Sequence, residues 1–432
     1  MGGTGSAEAA QQTGKPTLKR ILKVLGPGLV TGASDDDPSG IGTYSQSGAS
    51  LGFGILWLAL WTLPLIATVQ YICAKIGLVS GRGLAGVLRE NYPRKLLYPV
   101  VVCLIVANVI NAGVDLGAIG AALHLLIPIP ITILIIPVTI GILLLQIFGS
   151  YRLIAKVFKW LTLALFAYIG AAFFARPDLG EVLRSLIIPT FSLDKTFLAT
   201  VVAILGTTIS PYLFFWQASQ EVEEEVSMGR KQLWQRKGAT NDELTYAAWD
   251  VNIGMFFSNL VMFFIILATA STLHTAGKTD IQTATDAAEA LRPLAGDMAG
   301  VLLAVGLVGA GILAVPVLTG SAAYAVAEAF GWHYGLDRKP QQAKRFYLLI
   351  TGATVIGMLI NYLGINPIQA LFWTGVINGF IAVPLLAIIM LVANNHDVMG
   401  KRVNSRMENI IGWLTVVIMG AAAISLVLTW NG

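Results

Sequence analysis

The sequence predicts an all-α polytopic membrane protein with eleven spans. Three observations carry that expectation: a scarcity of charge, eleven long apolar runs, and the placement of lysine and arginine. Of 432 residues, 56% are hydrophobic and 12% charged, with a mean hydropathy of +0.73. Soluble domains carry about 25% charged residues. So little charge cannot cover a water-facing surface, so most of the exterior faces lipid. The modest net charge of +4 and pI near 8.9 call for no nucleic acid. They follow from membrane topology, as shown next.

A helix needs about 20 apolar residues to cross a bilayer. Such runs lie at 21–48, 52–79, 96–127, 129–149, 153–175, 197–220, 250–275, 297–329, 345–363, 366–393 and 408–430. Cytoplasmic segments are enriched in Lys and Arg. With the N-terminus inside, only Arg176, Arg184, Lys195, Lys278 and Arg292 fall outside, and the rest of the 28 basic residues fall inside. The C-terminus then lies outside. Residues 1–20, rich in Gly, Ala and Gln, read as a disordered cytoplasmic segment without a cleavable signal. Cys73 and Cys103 lie in separate apolar runs and read as small buried hydrophobes, not a disulfide or a metal site.

Two spans are interrupted. The first contains Gly26-Pro27-Gly28 and then Ser34-Asp35-Asp36-Asp37-Pro38-Ser39-Gly40. The sixth contains Gly206-Thr207-Thr208-Ile209-Ser210-Pro211-Tyr212. A break at membrane depth is tolerated only where the freed backbone lines a cavity. Spans one and six each open a set of five, an odd number, so the two sets have opposite topology: 21–175 and 197–393, followed by an eleventh span at 408–430. Paired broken helices in inverted repeats point to a transporter binding site. Proline alone would explain a kink. It does not explain three aspartates, because a buried carboxylate costs several kcal/mol unless a cation or partner compensates it. No basic residue lies deep in any span, so a transported cation is the expected partner.

These residues resemble the Nramp family of metal transporters. Its first span carries an Asp-Pro-Gly-Asn signature, matched here by Asp37-Pro38-Ser39-Gly40. Its sixth carries Met-Pro-His after a small-residue run, matched by Ser210-Pro211-Tyr212. The resemblance covers nearly the whole chain after about residue 20. It implies a LeuT-like fold and import of divalent metal ions by a protein that is not an enzyme and needs no cofactor. Carried over by position, it places metal ligands at Asp37, the Ser34 and Thr207 carbonyls, Gly40 and Ser210, and the third-span acid at Asp115. Asp35, Asp36, Asp115, Tyr212 and Asn378 are candidates for proton transfer or gating; the three adjacent aspartates cannot all be ligands of one small site, and those that are not are expected to face the vestibule or carry a proton.

The departures from the family pattern have chemical content. Ser210 replaces a soft thioether with a hard hydroxyl, or simply with space, which suits Mg²⁺ and Mn²⁺. Gly40 removes an amide oxygen and enlarges the site, fitting an ion such as Mg²⁺ that keeps several waters. Tyr212 removes a histidine. The pattern resembles the Nramp-related magnesium transporters, and the expectation is a Mn²⁺ and Mg²⁺ importer with weak or absent proton coupling. The alternatives are an ordinary proton-coupled Mn²⁺/Fe²⁺ symporter and an amino-acid or other organic-solute symporter of the same fold, whose substrate carboxylate Asp35 to Asp37 would repel. A bacterial inner membrane is the expected location, and nothing in the sequence calls for more than a monomer. The run Glu221 to Glu225 reads as a solvated helix extension balanced by Arg230, Lys231, Arg236 and Lys237.

Overall fold

The computed structural model describes residues 26–148, 167–336 and 338–430. The first span is two short helices, α1 (Pro27–Asp35) and α2 (Pro38–Leu51). Then follow α3 (Trp57–Ser80), α4 (Arg94–His124), α5 (Ile131–Phe148) and α6 (Ala167–Phe174). The sixth span is again split, into α7 (Lys195–Thr208) and α8 (Pro211–Ser227). It is followed by α9 (Asn241–Thr269), α10 (Ala299–Phe330), α11 (Lys344–Ile360), α12 (Pro367–Ala393) and α13 (Arg406–Thr429). Shorter unlabelled helices lie in the connections.

Among the described residues, nine segments are long and apolar enough to cross a membrane, and the broken first span is additional to them. The expected fifth span, 153–175, shows only α6, its remainder lying outside the described residues, as do residues 1–20. Boundaries shift modestly from expectation. The seventh span starts at Asn241, nine residues before the apolar run, because Thr240 and Glu243 form a capping box that starts the helix in the polar flank. Ser405 and Glu408 do the same for α13. Gly81 and Gly331, both at φ 67°, end α3 and α10 in the left-handed region that glycine enters without strain.

The long helices frame the two broken ones. α10 packs on α4, α7 on α12, and α9 on both α1 and α3. The α1–α9 contact is close enough to require glycine. A Cβ on Gly32 would lie 2.3 Å from the Gly254 carbonyl oxygen, and one on Gly254 would lie 2.2 Å from that of Gly28. Small residues let helix backbones approach in this way within a membrane protein.

Candidate metal site between two broken helices

The two breaks share one backbone device. α1 ends at Asp35; Asp36 takes φ −85°, ψ 48°, Asp37 is extended at φ −68°, ψ 168°, and Pro38 opens α2. α7 ends at Thr208; Ile209 takes φ −103°, ψ 59°, Ser210 takes φ −81°, ψ 139°, and Pro211 opens α8. Proline suits the first helical position because it has no N–H there to leave unsatisfied. Each break frees carbonyls at one helix end and amides at the next.

At the first break, Asp37 is 1% exposed. Its Oδ1 accepts from the Gly40 amide at 2.6 Å, capping α2, and its Oδ2 accepts from Asn111 Nδ2 at 3.3 Å. The Tyr212 hydroxyl donates to the Ser34 carbonyl oxygen at 2.8 Å and lies 3.4 Å from Asp37 Oδ2. Asp115 joins the same helix end: its Oδ1 lies 3.1 Å from the Ser39 amide and 2.8 Å from the Ser39 hydroxyl. That hydroxyl also lies 2.7 Å from Asn111 Oδ1, so Asp37 and Asp115 are joined through Asn111 and Ser39. The structure therefore brings Asp37, the Ser34 carbonyl, Gly40, Tyr212 and Asp115 together around one helix start.

At the second break, the Ser210 hydroxyl turns back and bonds the Gly206 and Thr207 carbonyl oxygens at 2.7 and 2.8 Å. Its lone pairs remain for other partners. No side chain caps α8. Asn378 is 2% exposed on α12. It continues the stripe of Leu371, which packs on Gly42, and of Gly375, whose Cβ would lie 3.3 Å from Thr43 Oγ1. The stripe faces α2 and α7, and the Asn378 amide nitrogen has no partner among the described residues.

Asp35 and Asp36 correct an expectation. Neither faces a vestibule: they are 0% and 4% exposed, and both approach the Ser258 hydroxyl of α9. Asp35 Oδ1 is left without a partner. Among the described residues, no ion pair reaches Asp35, Asp36, Asp37 or Asp115. The one lysine that is deeply buried among the described residues, Lys75, is committed to Glu408 at 2.8 Å. No group of three His, Cys, Asp or Glu side chains gathers as a metal centre among these residues. What assembles is one carboxylate with backbone and hydroxyl oxygens, an all-oxygen donor set that suits hard divalent cations.

A cavity of about 340 Å³ reaches toward the breaks from the end where α7 and α12 begin. Ile41, Gly42, Ser45, Thr200, Leu307 and Leu371 line it, with Lys195 and Asp280 among its polar residues. Asp37 lies one helical turn below Ile41, whose amide bonds the Asp37 carbonyl at 2.9 Å. From the other end, α1 closes the route. Asp250 Oδ2 accepts from the Gly28 amide at 2.6 Å, and Thr31 contacts Gln217, which in turn donates to Glu221 Oε1 at 2.8 Å. Asp250, Gln217 and Ser258 were not singled out from the sequence, because their partners on α1 are more than 180 residues away.

Two smaller expectations also change. The helix does extend through the Glu221–Glu225 run, but Glu221 and Glu225 are 4% and 3% exposed, not solvated. Their i, i+4 spacing puts them on one inward face, where Glu225 pairs with Arg230 at 2.8 Å. Cys73 is buried as expected, whereas Cys103 is exposed on α4, and both are free thiols.

Comparison with known proteins agrees with this architecture. The sequence profile of the Nramp family, described as natural resistance-associated macrophage protein-like, matches residues 28–429. Among solved structures, the Eremococcus coleocola manganese transporter, in complex with an aromatic bis-isothiourea substituted compound, superposes with a TM-score of 0.75 at 19% identity. The alignment covers 96% of this chain and 88% of that one. Mhp1, a nucleobase-cation-symport-1 family transporter in a closed conformation, gives a TM-score of 0.58 at 13% identity, covering 94% and 93% of the two chains. MhsT in complex with L-phenylalanine gives 0.56 at 13% identity, covering 94% and 97%. These likenesses establish the LeuT-like helical fold.

Proposed function

The chain belongs to the Nramp family, and from that membership we propose that it carries divalent metal ions, Mn²⁺ and Mg²⁺, across the membrane by alternating access. As a member it is a transport protein rather than an enzyme. One observation carries the site reading: Asp37, buried between two helix breaks, has hydrogen-bond donors but no ion-pair partner among the described residues. A dication supplies that charge. Asp37 binds it, the carbonyls of Ser34 and Thr207 and the Ser210 hydroxyl add oxygens, and waters accommodated beside Gly40 complete the shell. An all-oxygen shell with retained water suits Mg²⁺ and Mn²⁺ better than softer metals.

The cavity supports entry from the side that the basic-residue bias assigns to the outside. Release inward then requires α1 to leave α9, breaking the Asp250 bond to its first turn. The same bias supports an N-terminus inside and a C-terminus outside; a bacterial inner membrane is the proposed location. Weak or absent proton coupling is supported by the histidines: all four are exposed and none lies at a break. The polar link from Asp37 through Asn111 and Ser39 to Asp115 favours the second reading, proton-coupled Mn²⁺ symport.

Flux into proteoliposomes carrying an internal pH dye separates the two. The proposal expects Mn²⁺ and Mg²⁺ uptake without acidification. Mn²⁺ uptake with acidification and no Mg²⁺ flux would select the second reading, with Asp115 the first residue to test.

A further inference from the structure

From the two contacts of its hydroxyl, we infer that Tyr212 sets the affinity of the site by competing, from a fixed tether, with the transported ion for the Ser34 carbonyl and Asp37. The inference rests on the proposed metal site. The phenol carries a single proton, and that proton is given to the Ser34 carbonyl, at 2.8 Å. The same oxygen stands 3.4 Å from Asp37 Oδ2. Ser34 lies in the last turn of α1, where carbonyls lack helical partners. The positive end of the O–H dipole therefore points at an oxygen that a cation would use.

Tyr212 cannot easily drift away. It is 1% exposed and belongs to an apolar cluster with Leu116 and Ile119 of α4 and Val317 and Leu318 of α10. Its own carbonyl accepts from Ser321 Oγ at 2.9 Å. A small dication binds oxygen at about 2.1 Å. To bond both Ser34 and Asp37 at that distance, it must come up against the phenol and turn the hydroxyl proton off the carbonyl. Each binding event breaks this bond, and each release restores it. The tyrosine thus lowers affinity and speeds release, and it links α8 to α1 while no ion is bound.

The test is calorimetric titration of Mn²⁺ and of Mg²⁺ into the purified full chain in detergent. Tyr212→Phe keeps the ring and removes the competitor, so both ions should bind roughly three- to tenfold more tightly, the equivalent of one hydrogen bond. A merely structural role would weaken binding on substitution, never tighten it. Unchanged or weaker binding by Tyr212→Phe overturns the inference and makes the phenol a ligand or a spacer. Should that variant not fold, Tyr212→Leu, which also removes the hydroxyl, is read by the same criterion. Asp37→Ala is titrated in parallel. If it binds like the unaltered chain, the metal-site reading itself fails, whatever Tyr212 does.

Discussion

The two helix breaks have nearly the same backbone and opposite chemistry. At the first, two carboxylates, Asp37 and Asp115, turn toward the amides that open α2. At the second, the Ser210 hydroxyl turns back onto the carbonyls that close α7, and the start of α8 carries no side-chain cap. The first break therefore holds charge, and the second holds neutral oxygen. A helix start favours negative charge through its free N–H groups and dipole, which offsets part of the cost of burying Asp37 and Asp115, neither of which has a basic partner among the described residues. On the proposed site, affinity for a dication and preference among dications would lie on different helices and could be altered separately.

That separation can be broken or sharpened by substitution. The largest effect is expected from Asp37→Ala, which removes the carboxylate proposed to bind the ion. Saturable uptake should disappear, a loss of about a hundredfold or more in affinity, while the purified protein still folds, its melting temperature shifted only by about the loss of one helix cap. Near-normal uptake would sink the assignment. Ser210→Met adds a soft donor at the neutral break. Preference should move about tenfold toward Mn²⁺ or Cd²⁺ over Mg²⁺, read from competition of each ion against Mn²⁺ uptake. An unchanged preference would detach selectivity from this break. Ser210→Ala is the gentlest change: losing one neutral oxygen should weaken Mn²⁺ binding only by roughly three- to tenfold. No change at all would show that the serine merely leaves space.

Much of this arrangement was legible in the sequence because it is local. A proline after a polar turn, repeated in spans one and six, marks both breaks within a residue. The aspartates that cannot be paid for by any nearby lysine mark the charge. What escaped was long-range. Ser258 is an ordinary serine in an apolar helix until α9 packs against α1 and brings it to Asp35 and Asp36. Asp250 looks like a flank residue until its carboxylate meets the first turn of α1. Glu221 and Glu225 form part of a charge run that looks solvated, although their four-residue spacing was the signal of a common, buried face. Tyr212 was visible as a departure from the family pattern, but its reach to the Ser34 carbonyl across the two breaks was not.

The most direct test of the central claim is an anomalous difference map from crystals of the protein grown with Mn²⁺. The account predicts a peak between the breaks, within about 2.5 Å of an Asp37 carboxylate oxygen and of the Ser34 and Thr207 carbonyl oxygens. A peak beside Asp35, Asp36 and Ser258, with Asp37 left on its present hydrogen bonds, would contradict it.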